Sequence, residues 1–400
     1  MGLTQWLARQ AVRRCSVLLV EMPGGWRARV YAERFVLGRG WQLADSPAGA
    51  DMLVVCGQLP PDLEDSVEAV WEQLPGPRVR ISLAPGETEQ GVEAAVEAAL
   101  PHLRDTAAQR EDAAGRSLPG GMDPGDMDPG DMDHGDMDHG DMDHGDMDHG
   151  DMDHGDMDHG DMDHGDMDHG DMDMAPDGIA LAEGADDRDG LEMDELHLRL
   201  GPVLRHWPAG LEMTWTLHGD LVTEAEGRWI GSATGESATQ GLPSTALLAD
   251  AVRDVLQLAG WTEGAERAMR VRDLAVGSLA GRGDADLARE AAALVRRVRR
   301  SRTLRWSLRG LGRVERGWLD DHQLPSWWAG DANDRLLALL DAVHVSTDAG
   351  PGPDVLLERP DAAHLTRLCT GVEVAAARLV VASLAPHLGS LEAMRAGAHA

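Results

Sequence analysis

At 400 residues the chain is long enough for two or three domains, and a net charge of −34 argues against a general affinity for nucleic acid. No apolar run approaches the roughly 20 residues that span a bilayer, and the basic stretch from Met1 to Arg14 lacks the continuous apolar core of a secretory signal. Three scattered cysteines (Cys15, Cys56 and Cys369) are too few for a disulfide framework, which points to a reducing, cytoplasmic compartment.

The stretch Leu3, Trp6, Leu7 and Val12, with Arg9, Arg13 and Arg14, reads as a short basic amphipathic helix suited to a membrane surface or a partner helix. Ser16–Met22 and Asp51–Cys56 are apolar, β-branched runs of the length of buried parallel strands. Asp62–Gln73 carries Leu63, Val67, Val70 and Trp71 at helical spacing; Arg78–Leu83 follows as a strand and Glu87–Leu103 as an Ala-rich helix. The alternation predicts a small open parallel sheet, an α/β domain of flavodoxin-like type over residues 1–105. Cys56 falls inside a strand and reads as a small buried hydrophobe.

Residues 106–190 are expected not to pack. The stretch Ser117–Asp187 holds 25 acidic residues and no Lys or Arg, which leaves the rest of the chain at about −9. At its centre the unit Gly-Asp-Met-Asp-His repeats without substitution from Gly130 to His169. A period of five matches neither helix nor strand. The unit also cannot offset roughly 1–2 kcal/mol of backbone ordering entropy per residue. A disordered Asp/Met/His/Gly linker is therefore predicted.

Glu195–Ile230 alternates apolar and polar residues around a Gly219-Asp220 turn and reads as a β-module within residues 191–240. Residues 241–400 read as helical, with Ala246–Leu258, Gly264–Gly277, Asp284–Arg300, Asn333–Val343 and Ala362–Leu384 as the best segments. The C-terminal region is thus α+β, a small β-module followed by helices. Trp306, Trp318, Trp327 and Trp328 read as core or interface. The Arg run Arg296, Arg297, Arg299, Arg300, Arg302, Arg305, Arg309, Arg313 and Arg316 reads as a docking face for an acidic partner or anionic lipid, or as a solvated helix face.

The segments Ala32-Glu33-Arg34-Phe35, Ala44-Asp45-Ser46-Pro47, Gly49-Ala50-Asp51-Met52-Leu53-Val54-Val55-Cys56-Gly57 and Val70-Trp71-Glu72-Gln73-Leu74-Pro75-Gly76-Pro77-Arg78 together resemble the small iron–sulfur subunit of respiratory complex I. They resemble still more the small subunit of membrane-bound nickel–iron hydrogenases of the formate hydrogenlyase type. In that family four cysteines hold a cluster, and thiolate ligation is obligatory. Against the family's Cys-x-x-Cys-x-x-Glu, Cys15 matches the first cysteine, Leu18 stands at the second and Glu21 matches the glutamate; Gly86 stands at the third cysteine. These are vestigial cofactor positions, and no standard iron–sulfur cluster is expected.

The segments Leu196-His197-Leu198-Arg199-Leu200-Gly201-Pro202-Val203 and Leu217-His218-Gly219-Asp220-Leu221-Val222 resemble the opening β-module of the complex I and hydrogenase large subunit. The family's Gly-Pro-x-His-Pro is here Gly201-Pro202-Val203-Leu204-Arg205-His206-Trp207-Pro208, with His206 displaced. Arg367-Leu368-Cys369 copies the start of a nickel-binding motif, but Val372 occupies its second cysteine position. The resemblance implies a fusion of two redox-subunit-like domains stripped of their ligands, a cluster-less accessory subunit. It would face the cytoplasm and be peripheral to a membrane-bound NADH-quinone oxidoreductase-like or hydrogenase-like assembly, whose other subunits would be its partners.

The repeat supports an alternative, metal buffering. His134, His139, His144, His149, His154, His159, His164 and His169, with Met132, Met137, Met142, Met147, Met152, Met157, Met162 and Met167, fall in one tract. Thioether with imidazole suits Cu(I), and imidazole with carboxylate suits Cu(II), Ni(II) or Zn(II). No cofactor beyond weakly bound Cu or Ni is expected. No catalytic residue, phosphate loop or small-molecule site stands out, and no nucleic-acid motif surrounds the arginines.

Overall fold

The computed structural model describes residues 14–116, 183–186, 192–231, 242–278, 284–346 and 359–388. The pentapeptide repeat and the N-terminal amphipathic segment lie outside these residues. The described parts on either side of the tract fall in one compact unit.

The N-terminal part is built as the apolar runs require. Strands β1 (Ser16–Glu21), β2 (Gln42–Leu43), β3 (Met52–Cys56) and β4 (Val79–Leu83) form a parallel sheet in the order β2-β1-β3-β4. Successive side chains of a strand point to opposite faces. Val17 and Leu19 therefore join one core with Val54 and Cys56, under helices α1 (Trp26–Gly38) and α3 (Glu89–Arg104). Leu18, Val20, Leu53 and Val55 join the other, under α2 (Glu64–Glu72). Helix α1 and strand β2 were not anticipated. The helix buries Trp26, Ala28, Val30, Ala32 and Val36, but Arg29 and Glu33 are buried beside them and interrupt the apolar stripe.

Packing does not stop at residue 105. Helix α4 (Thr106–Gly115) continues into the segment expected to be unpacked. Asp105 accepts from the amides of Ala107 and Ala108 at its start. Arg78 then anchors it with paired 3.0 Å bonds to both oxygens of Asp112, while Gln109 exchanges bonds with the Arg78 backbone. That anchor lies 34 residues away in sequence, so local periodicity carries no trace of it.

The second sheet is antiparallel, in the order β5 (Glu183–Asp186), β6 (Glu192–Leu200), β7 (Leu211–His218), β8 (Leu221–Trp229). It too begins inside the segment expected to be linker. Gly219, at φ +63°, makes the turn between β7 and β8. Leu211, Met213, Trp215 and Leu217 carry β7 into the main core.

Eight helices follow among the described residues: α5 (Ser244–Leu258), α6 (Thr262–Ser278), α7 (Asp284–Arg300), α8 (Arg302–Leu308), α9 (Arg316–Asp321), α10 (Ala332–Ser346), α11 (Ala362–Cys369) and α12 (Val374–Leu384). Helix α5 lies at the centre, packed against α6, α10 and α12. The stretch expected as one helix from Ala362 to Leu384 is two, broken at Gly371 with φ +82°. Its turn clasps the β7–β8 hairpin, with Val222 and Gly371 bonded through backbone groups. Trp327 and Trp328 are buried as expected, but Trp306 is 80% exposed. Among the described residues no helix is long and apolar enough to cross a membrane.

One glycine fixes how the N-terminal sheet edge closes. A Cβ at Gly25 would lie 1.8 Å from the Cys56 carbonyl oxygen, an approach that backbone atoms cannot relieve. Gly25→Ala is expected to cost about 3 kcal/mol or more, measured by urea unfolding; a loss below about 1 kcal/mol would show that this approach is not fixed.

Candidate functional site

In open parallel α/β sheets the functional crevice lies at the carboxyl ends of the strands. Here that edge is formed by Glu21, paired in register with Cys56, which in turn pairs with Leu83. The edge is covered by the helical part of the chain, and the seam between them is charged. Arg29 of α1 donates to Glu21, to Glu33 at 2.8 Å and to Asp250 of α5. Arg253 donates to Glu33 at 2.9 Å and reaches Asp254 at 2.7 Å. Arg272 of α6 bridges Glu33 and Asp250, the latter at 2.9 Å. The Trp26 indole closes the set by donating to Asp250 at 2.8 Å.

The side chains of Arg272, Glu33 and Asp250 are 0%, 3% and 3% exposed. Water contributes almost nothing to their solvation, so the charges must solvate one another. Burial alone would raise the pKa of Glu33 and Asp250, but Arg253, Arg29 and Arg272 hold both below the carboxylate range. Asp254 is likewise held down by Arg253 and by its bond to His206, against the pull of burial. The centre of the network is therefore charged at neutral pH.

Two members at its margin differ. Burial raises the pKa of Glu21, with Arg29 only partly offsetting it, and its side chain keeps 26% exposure. His206 sits on left-handed backbone, φ 55°, and places Nδ1 2.7 Å from Asp254. Its Nε2 is buried without a hydrogen-bond partner. The margin thus holds an imidazole oriented by a carboxylate and a partly exposed carboxyl whose pKa burial raises. Nearby, burial lowers the pKa of His387 from its ordinary 6.5.

The cysteine positions do not make a cluster site. Cys15 lies at the amino end of β1, about 20 Å from Glu21 by strand rise, and its pKa is pushed up to about 12 by burial. Leu18 points into the core shared with Leu53 and Val55. Gly86 lies in an exposed turn with open space beside it. Cys56 is the cysteine at the carboxyl edge, fully buried, with its thiol held protonated by desolvation. One buried thiol cannot hold an iron–sulfur cluster, so these residues do not fit that group. Cys369 is buried as well, at a pKa of about 12. Among the described residues no group of three or more His, Cys, Asp or Glu is arranged to hold a metal ion.

Motif spacing did not reveal the charged seam, because its members span residues 21 to 272. A signal did exist. Asp250, Arg253 and Asp254 are the only charges in α5, whose remaining residues are nearly all buried. Charges on an otherwise apolar helix require buried partners.

The seam sets a pH dependence. Glu33, Asp250 and Asp254 have depressed values in the fold. Their stabilisation is complete above the unfolded carboxylate range and is lost as pH falls through the folded values. His387 acts in the same direction, beginning below about pH 6.5. Glu21, being raised, acts oppositely: its contribution is full in acid and lost as pH rises. Glu212 joins the depressed carboxylates, and Asp273, bonded to Arg272, and Asp51 join the raised one; four depressed carboxylates and His387 against three raised predict that stability is highest near and above neutral pH and declines into acid below about pH 4. Urea unfolding across that range measures it; stability that increased steadily toward pH 4 would refute it.

No family model, curated protein or solved structure matched the chain.

Proposed function

We propose that the chain is a redox-silent accessory subunit of a complex-I-like or hydrogenase-like membrane oxidoreductase, combining a small-subunit-like and a large-subunit-like module. The observation that carries this reading is the seam. The family-like segment that includes Glu33 and the helices that follow the family-like β-module meet at the carboxyl edge of the parallel sheet, through Arg29, Glu33, Asp250, Arg253 and Arg272. The strand order β2-β1-β3-β4 supports a flavodoxin-like description of the first module. The role of the seam is to hold two modules in fixed register while the chain docks among other subunits. Affinity purification from its native host is expected to bring down membrane subunits of the antiporter type; recovery of the chain without them rejects the proposal. Anaerobic iron–sulfide reconstitution should yield no cluster absorbance or paramagnetic signal, and a stoichiometric signal would overturn redox silence.

A second reading rests on the repeat's composition: a Cu or Ni buffer acting through its His and Met residues. Titrating Cu(I), Cu(II) and Ni(II) against the full chain and a chain lacking Gly121–Met174 tests it. Sub-micromolar affinity that disappears on deletion supports buffering. Affinity no tighter than that of free His and Met rejects it.

A further inference from the structure

Between Ala291 and Val314 the chain has eight arginines and no acidic residue, although its overall net charge is −34. The structure sorts these arginines. Arg297 is paired with Glu263 and Arg299 with Asp341. Arg296, Arg300, Arg302, Arg309 and Arg313 are exposed and make no ion pair with any described residue. Arg305 is also exposed and donates to the Arg299 carbonyl at 2.9 Å. Helix α8 explains the arrangement. Leu304 and Leu308, four apart, are buried inward, so Arg302, Arg305, Trp306 and Arg309 form the opposite stripe at spacings of three and four. Trp306 is 80% exposed, the most exposed large hydrophobic side chain among the described residues.

We propose that this stripe docks the protein onto the surface of an anionic phospholipid bilayer. Unpaired guanidiniums attract lipid phosphates, and an indole among them belongs at headgroup depth, where its apolar body and N–H are both accommodated. The alternatives fit less well. Single-stranded nucleic acid is bound on several stacked aromatics, whereas this stripe has one. The neighbouring depression of about 500 Å³ at Arg313 and Arg316 also contains Glu315 and Asp334, so it is not a pocket for a discrete phosphate. The positive charge lies on an open helix face, which suits a flat array of headgroups. This inference stands apart from the accessory-subunit reading: vesicle binding by the isolated chain needs no partner subunit.

The test is flotation of the full-length chain with vesicles of phosphatidylcholine alone and of phosphatidylcholine with about one-third phosphatidylglycerol. Binding is expected only to the anionic vesicles, weakening at least tenfold from low to 0.5 M salt. The variant R302E/R305E/R309E, which alters exposed residues only, should lose at least tenfold in affinity while keeping its circular dichroism spectrum. Trp306→Ser should lose several-fold and abolish any lipid-induced blue shift in tryptophan emission. Equal binding to neutral vesicles, undiminished binding by the triple variant, or tighter binding to duplex DNA than to anionic vesicles would each overturn the proposal. So would no vesicle binding at all.

Discussion

Glu33→Ala should lower the unfolding free energy by about 3–5 kcal/mol, the cost of removing one partner from a buried ion network. Glu33 accepts from three guanidiniums, those of Arg29, Arg253 and Arg272. Alanine leaves those cations 8%, 6% and 0% exposed, with Asp250 as their main remaining counter-charge and no water to replace the lost carboxylate. Pairing the change with Arg272→Ala removes one of the stranded cations, so the double variant should lose less than the sum of the singles by 1 kcal/mol or more. Glu21→Gln serves as contrast. That carboxylate is raised by burial and partly exposed, so neutralising it should change stability by no more than about 1 kcal/mol. Denaturant unfolding of the four variants decides the matter. A loss below about 1 kcal/mol for Glu33→Ala would mean that the seam is solvated and dispensable.

Arg335→Met should cost about 3 kcal/mol through a different mechanism. The Arg335 side chain is fully buried and has no carboxylate in contact. It donates to the carbonyls of Gly312 at 2.9 Å, Gly330 at 3.0 Å and Trp328 at 3.3 Å, and to the Ser383 hydroxyl at 2.9 Å. Burial brings its pKa down to about 10, with Asp331 and Asp334 opposing from a distance, so it remains charged at neutral pH. Methionine has similar length but removes the donor from the Gly312 and Trp328 carbonyls, while Gly330 keeps the Val314 amide, at about 1–3 kcal/mol for each carbonyl that finds no water. The loss of a desolvated charge offsets part of this. Faster amide exchange is expected at residues 309–314 and 328–331, because Arg335 is the common donor that ties those two stretches together. Arg335→Lys should recover little, since one ammonium cannot reproduce the planar fork. Exchange unchanged in those stretches, with stability within 1 kcal/mol, would refute the assignment.

The strands β1, β3 and β4 were legible because full burial on both faces leaves continuous β-branched runs such as Leu53, Val54 and Val55. Helix α7 was legible from its strong segregation of Arg from Leu and Val. Helix α1 was not, because Arg29 and Glu33 occupy its inner face and erase the apolar period. Helix α4 was hidden for a related reason, its anchor being Arg78 on a distant segment. For the site, sequence reasoning looked for ligands close together along the chain. The network instead draws one to three residues from each of several elements, with separations above 200 positions. Of the tryptophans expected at a core or an interface, Trp327 and Trp328 are core and Trp306 is exposed, a division that composition alone does not make.

The seam is expected to make the peptide link between the two halves dispensable. Trp26 and Val30 belong to the same apolar core as helices α5 and α6, and Ile230 belongs to the core under α2. Neither half is a free-standing cassette: residues 14–116 alone would present Arg29, Glu33 and Trp26 to water. A single protease cut between 117 and 181 should therefore yield two fragments that co-elute and unfold together. Expressed as separate polypeptides, the halves should reassemble by complementation, which makes the chain a natural split protein.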